Sequence, residues 1–319
     1  MTDAGPAVRT QGLTRKYGDA LAVDGLDLSI PAGELFGLVG PDGAGKTTTL
    51  RLLAGLLSIS DGEAWVAGQD LKEHPESVKP LIGYMAQEFS LYAELSVVEN
   101  LRFFAELYQV PRAQVAARMQ RLLEFAGLTE FTERRAGHLS GGMQKKLALA
   151  CTLIHEPPVL LLDEPTTGVD PISRREFWDI LTTLHLAGTT ILVSTPYMDE
   201  ADRCTRVGLI YRGRLAVCEA PRRIRARLEG EVVHLRTPDW RKARELLAGM
   251  PGISEVQTYG EALHLLVDSA DRRLPEIRAG LEAHGLQVSE LRQAPARMEE
   301  AFISLIKQMD AERARTEAS

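Results

Sequence analysis

An α/β domain on a mainly parallel sheet, followed by a small α+β unit, is the fold class this sequence predicts. Three observations predict it. Short, almost wholly apolar runs (Leu35–Val39, Val159–Leu162 and Ile191–Val193) read as strands buried on both faces, as strands of a parallel sheet are. Segments of helical periodicity separate them, and that alternation implies right-handed crossovers. Beyond about Gly230 the order changes to β-α-β-β-α-β.

Taken in order, Leu26-Asp27-Leu28-Ser29-Ile30 alternates with period two and turns at Pro31-Ala32-Gly33 before the run Leu35–Val39. A helix carrying Leu50, Leu53 and Leu57 follows. Ser96 to Gly137 is helical, with Leu101, Phe104 and Ala105 on one face; Pro111 opens a second helix holding Val115, Met119, Leu122 and Leu123. In the last part Val233 and Leu235 mark a strand, and Trp240, Ala243, Leu247 and Met250 one helical face. Strands at Ile253–Tyr259 and Leu263–Val267 meet at Gly260, a helix carries Leu274, Ile277 and Leu281, and Leu286/Val288 mark another strand. Such an order is that of ferredoxin-like domains. A last helix carries Met298, Ala301, Phe302, Leu305, Ile306 and Met309, a wide stripe suited to core packing, and the polar end Asp310–Ser319 is expected to fray. These elements place one domain at 1–230, a second at 231–309 and a polar tail at 310–319.

Composition narrows the function classes. Of 319 residues 45% are hydrophobic and 25% charged, with 37 Lys+Arg against 44 Asp+Glu, so the net charge of −7 argues against a nucleic-acid partner. No run approaches the ~18 apolar residues of a membrane span, so a pore is not expected. Met1–Gln11 lacks a basic-then-apolar leader pattern. Cys151, Cys204 and Cys218 are far apart and without metal-ligand spacing, which fits free thiols in a reducing cytosol. A short basic run, Arg222, Arg223, Arg225 and Arg227, reads as a solvated linker helix face, with attraction to anionic lipid as the alternative.

The chemistry lies in three segments. Gly40-Pro41-Asp42-Gly43-Ala44-Gly45-Lys46-Thr47, with Thr48 after it, fits G-x-x-x-x-G-K-[ST] between an apolar strand and a helix. Glycines let such a loop curl its N–H groups around phosphate oxygens; Lys46 reaches the β- and γ-phosphates and the Thr47 hydroxyl ligates Mg2+. The run Val159–Leu162 ends in Asp163 and Glu164. At the carboxyl end of a buried strand Asp163 is expected to hold Mg2+ through water and Glu164 to polarise the attacking water. Ser140-Gly141-Gly142, with Ser140 lying 23 positions before Asp163, opens a helix and reads either as a second anion-seeking helix start or as a plain cap.

Phosphate loop, Ser-Gly-Gly helix start and Asp-Glu strand end, at these spacings, resemble the ATP-binding cassette (ABC) family across residues 8–230. The resemblance implies a phosphate-loop NTPase fold with an antiparallel β subdomain and a helical subdomain at about 90–150. It implies ATP and Mg2+ as cofactors and two cassettes, alike or different, paired head to tail. Ser140, Gly141 and Gly142 would then touch the γ-phosphate held by the partner cassette. Tyr17 resembles the aromatic that stacks on adenine, Gln87 the glutamine that touches Mg2+ and water and couples to a transmembrane permease, and Asp170 the acid of the loop crossing the dimer interface. The sequence is similar to the bacterial drug-efflux exporter branch, especially the first cassette of tandem forms. That implies an ATPase subunit on the inner face of the cell membrane, with Tyr92 and Phe103 as candidate contacts to the permease.

Three positions depart from the family pattern. Asp42 stands where Asn or Ser is common, and a carboxylate there is tolerable only if it points outward. Met143 replaces the usual glutamine of the Ser-Gly-Gly segment. Pro196 stands where the family carries a histidine that touches the γ-phosphate; Thr195 is expected to cap a helix with Pro196 at its first position, and His185 lies too far back to substitute. Weakened hydrolysis follows as an expectation. It gives some weight to a regulatory nucleotide-binding module. The other competing class, cassette proteins acting on ribosomes or DNA, carries long charged linkers, coiled-coil insertions or zinc cysteines that this sequence lacks.

Overall fold

The hairpin of β1 (Val8–Tyr17) and β2 (Ala20–Ile30) alternates buried and exposed residues over Leu26–Ile30, as a strand with one wet face must. β3 (Leu35–Val39) is buried at every residue. α1 (Lys46–Leu53), β4 (Asp61–Val66), β5 (Gln69–Asp70) and β6 (Ile82–Met85) follow. Next come α2 (Val97–Leu107), α3 (Arg112–Ala126) and α4 (Gly141–Leu153). β7 (Val159–Asp163), α5 (Pro171–Leu186), β8 (Thr190–Thr195), α6 (Met198–Ala201), β9 (Arg206–Tyr211) and β10 (Arg214–Glu219) complete the first of two units, Met1–Pro221 and Arg222–Ser319. This computed structural model describes residues 5–88 and 91–317; the start of the expected helical subdomain, near 90, falls outside them.

Strand order in the first unit is β2-β1-β4-β5 in one antiparallel sheet and β10-β9-β3-β8-β7-β6 in the other, where only β10 runs against its neighbour. Parallel register sets Leu38 and Asp163 opposite Ser194, Val39 opposite Thr195, and Met85 opposite Leu162. The carboxyl ends of β3, β6, β7 and β8 therefore form one row, and the segments leaving them carry the phosphate loop, Gln87, Glu164 and Pro196. Phe36, Leu38, Leu50, Leu53, Leu161 and Leu192 share the core beneath that row. Each such side chain contributes about 1.5–3 kcal/mol by burial. α1 stops at Leu53 because Gly55 turns left-handed (φ 66°), so Leu57 packs on the core from beyond the helix. α2 starts with a reciprocal capping box between Ser96 and Glu99.

A short helix, α7 (Pro221–Ala226), carries Arg222, Arg223 and Arg225. The second unit runs β11 (Glu231–Arg236), α8 (Trp240–Leu247), β12 (Ile253–Tyr259), β13 (Ala262–Val267), α9 (Ala270–Ala283), β14 (Glu290–Ala294) and α10 (Met298–Glu317). Its sheet is antiparallel throughout, in the order β12-β13-β11-β14. The last strand is not where Leu286 and Val288 predict it. Both pack on the core from the connection after Gly285, and pairing with β11 starts only at Glu290. α10 buries Met298, Ala301 and Phe302 and continues as helix through the polar residues to Glu317.

Arg273, on α9, grips Asp268 through two hydrogen bonds of 2.6 and 2.7 Å. The guanidinium holds the Asp268 carboxyl at about 2. A folded-state value depressed below the unfolded one means that this stabilisation is present above the ordinary carboxylate range and is lost as pH falls from about 4 towards 2. Melts of the full chain followed by fluorescence should therefore show a stability decline in that window that Arg273→Met removes; identical pH profiles for the two proteins would refute the assignment.

Candidate active site

The phosphate loop is shaped by two close backbone approaches. A Cβ on Gly40 would stand 2.2 Å from the Ile210 carbonyl oxygen, and one on Gly45, which caps α1 at φ 108°, 2.4 Å from that of Ala22. Lys46 is 4% exposed; its Nζ donates to the carbonyls of Gly40 and Pro41 at 2.9 and 3.1 Å and lies 3.1 Å from Glu164 Oε1. Asp42 points outward, its side chain 94% exposed and 3.9 Å from Lys46 Nζ. That outward orientation is the one a carboxylate beside phosphates requires.

Across the loop, Asp163 Oδ1 accepts from Thr47 Oγ1 at 3.0 Å and from Ser194 Oγ at 2.8 Å. Its Oδ2 is buried without a hydrogen-bond partner. A buried carboxylate oxygen left without a donor, beside a threonine hydroxyl, is the kind of ligand that a hydrated divalent cation satisfies, so these residues fit Mg2+. Glu164 is buried and holds a left-handed backbone, φ 45°. Strain of this kind costs about 1–3 kcal/mol and persists where the surroundings over-determine it. Here the Glu164 N–H donates to both Ser194 Oγ and Ser194 O, at 3.0 and 3.2 Å. Glu164 Oε2 accepts from Gln87 Nε2 at 2.9 Å and Thr167 Oγ1 at 3.3 Å. Lys145, on α4, donates to the Gln87 carbonyl at 2.6 Å; burial pulls its ammonium down while the carboxylates of Asp163 and Glu164 oppose that shift.

Asp42, Lys46, Thr47, Gln87, Glu164 and Pro196, with Tyr197, line a cleft of about 600 Å3, and the buried Asp163 is bonded to its Thr47 wall. Pro196 does not begin a helix: α6 starts at Met198 with Tyr197 before it, because the Thr195 hydroxyl accepts the Tyr197 N–H at 3.0 Å and closes a turn over the proline. Cation, hydroxyl and two carboxylates at the ends of parallel strands make a site for an anionic, phosphate-bearing ligand beside a divalent ion and a group able to take a proton.

The ABC transporter family matches residues 23–167. Nod factor export ATP-binding protein I of Ralstonia nicotianae is 35% identical over 302 residues, 94% of this chain and 94% of that protein. The chain belongs to the ABC transporter family.

The cassette is also 44% identical over 219 residues to the probable multidrug ABC transporter ATP-binding protein YbhF of Escherichia coli K12. That match covers 69% of this chain and spans 38% of the length of YbhF. Among solved structures, the dimeric post-hydrolysis state of the ATP-binding cassette MJ0796 bound to ADP and Pi superposes with a TM-score of 0.61 at 26% identity, over 67% of this chain and 98% of that one. The chain is thus an ATP-binding cassette of an ATP-hydrolysing family.

Other expected residues lie apart from the cleft. Tyr17 is half exposed at the end of the first hairpin, with the Arg15 guanidinium 4.8 Å from its ring. Ser140 caps α4, its Oγ accepting from Met143 N at 3.3 Å. Gly142 abuts α5 so closely that a Cβ would stand 2.5 Å from Ser173, and Gly141 faces the Gly168 carbonyl. Asp170 caps α5 by accepting the N–H groups of Ile172 and Ser173, and hydrogen bonds from Ser173 hold its carboxyl below the usual range. The Ser140 and Asp170 helix starts therefore form one surface, separate from the chain's own phosphate loop. His185 sits at the far end of α5, outside the cleft walls. Sequence alone does not single out Ser194, Thr167 or Lys145; the signal at Ser194 is the pair of hydroxyl residues, Ser194-Thr195, that ends an otherwise apolar strand.

Proposed function

We propose that this cassette binds ATP with Mg2+ and hydrolyses it to energise export of a drug-like or lipid-like compound through a separate transmembrane permease. The observation that carries the reading is the convergence of Lys46, Thr47, Gln87 and Glu164 on one cleft, with the buried Asp163 bonded to Thr47. N–H groups along Gly40 to Thr48, Pro41 excepted, and the Lys46 ammonium hold the phosphates. Thr47, Asp163 and Gln87 hold Mg2+, which neutralises phosphate charge when bound. Glu164, aimed by Gln87 and Thr167, orients water and takes its proton during in-line attack. Tyr17 stacks on adenine. Ser140, Gly141, Gly142 and Asp170 face the nucleotide of a second cassette, of the same or a different sequence.

Export is supported by the names of the relatives, whose members include Nod factor and multidrug transport proteins. A separate permease is supported because no helix among the described residues is long and apolar enough to cross a membrane. Placement on the cytoplasmic face of the membrane goes with that reading. The permease meets the surface near Gln87 and α2, where Tyr92 and Phe103 stand half exposed in an edge-to-face pair at 4.6 Å. A net charge of −7 speaks against nucleic acid as the partner. Residues 1–230 act as the cassette, with the helical subdomain at about 90–150. Residues 231–309 act as an accessory domain, ferredoxin-like by its β-α-β-β-α-β order, and 310–319 as its polar extension.

Pro196 favours a second reading, a regulatory nucleotide-binding module with slow hydrolysis. Phosphate release measured for the chain alone and with the membrane protein that co-purifies separates the two. The export reading expects several-fold stimulation by the membrane protein; rapid hydrolysis by the chain alone sinks the regulatory module, and indifference to any membrane protein sinks export.

A further inference from the structure

Glu200, on α6, is a buried carboxylate (1% exposed) that no step above uses. Its Oε2 accepts from Thr195 Oγ1 at 2.5 Å. Its Oε1 accepts from Thr166 Oγ1 at 2.7 Å and lies 3.4 Å from Arg174 Nε. Every partner donates, so both oxygens act as acceptors. A carboxylate this deep persists only when it is paired and hydrogen-bonded, and here the bonds reach three separate pieces of chain. Thr166 lies two residues after Glu164, Thr195 directly before Pro196, and Arg174 one turn into α5 after Asp170. The Thr195 hydroxyl also accepts the Tyr197 N–H, so a single oxygen links Glu200 to the turn that forms the cleft wall. Arg174 closes the cluster, pairing with Asp199 and lying 4.7 Å from the Tyr197 ring.

We propose that Glu200 is a positioning residue, a staple that fixes the segment after Glu164 against the adjoining Pro196–Tyr197 wall of the cleft. It deepens the ATPase reading and rests on it. Glu200 touches no reacting atom; it acts by keeping the Glu164 carboxylate and the adjoining Pro196–Tyr197 wall in one fixed separation, and small displacements there cost rate rather than affinity.

Thr195→Val keeps the volume and removes the hydroxyl, Thr195→Ser restores it, and Glu200→Gln replaces one acceptor by a donor. Amide hydrogen exchange at Tyr197 in the full chain should rise about tenfold in Thr195→Val and Glu200→Gln and stay at the wild-type rate in Thr195→Ser. ATP turnover should fall about tenfold in the first two, with KM within about twofold, and recover in Thr195→Ser. Unchanged Tyr197 exchange overturns the staple, as does a rise in KM at constant kcat. A wild-type chain that hydrolyses no ATP while Tyr197 exchange responds overturns the ATPase reading and leaves the staple standing.

Discussion

Glu164→Gln should lower ATP turnover by about 10²–10³-fold while nucleotide still binds. The amide matches the carboxylate in size, so the change neither opens a cavity nor crowds the buried position. The strained backbone at φ 45° stays clamped by Ser194 through the same N–H. What disappears is the carboxylate charge, whose Oε1 faces Lys46 and whose Oε2 accepts from Gln87. Loss of that charge also loosens the hold on the Lys46 ammonium, so nucleotide affinity should stay level or tighten. Parallel measurement of phosphate release and of fluorescent-nucleotide binding checks both halves. Undiminished turnover would move the proton acceptor elsewhere, and lost binding would assign Glu164 to folding of the loop.

Pro196→His should act in the opposite direction, raising turnover at least tenfold. The proline stands in the cleft wall with Lys46 and Glu164 and offers neither an N–H nor a side-chain donor. A positioned donor to charge developing on a transferring group is worth about 10²–10³ in rate. The turn itself depends on the Thr195 hydroxyl and the Tyr197 N–H, not on the pyrrolidine ring, so histidine inherits an intact scaffold. Single-turnover phosphate release at saturating nucleotide is the measurement; an unchanged rate would show that the missing donor does not limit hydrolysis.

Residues whose chemistry forces their type are legible in the sequence alone. A loop that wraps phosphate needs Gly40 and Gly45, whose neighbours leave no room for a Cβ, and its lysine and threonine follow at fixed spacing. Asp163 and Glu164 stood out as acids ending an apolar strand. Gln87, which meets Glu164 in the fold, is marked in the sequence only by family likeness, since a glutamine after Tyr-Met-Ala carries no chemistry by itself; Tyr17, proposed on likeness alone, lies apart from the cleft. Supporting contacts were hidden because parallel pairing joins distant segments: Ser194 meets Asp163 and Glu164 across 30 residues or so. The segment around Pro196 misled for a related reason. Proline signals a helix start, but a side-chain bond from Thr195 delays α6 to Met198. β14 was displaced because its own residues are largely polar while the apolar pair lies in the connection before it.

Gly142 and Ser173 approach so closely that the helix starts capped by Ser140 and Asp170 lie packed side by side. Two loops far apart in sequence thus form a single preassembled face. Whatever docks there meets a surface whose local ordering entropy was spent when the chain folded, so little of the association free energy goes into arranging it.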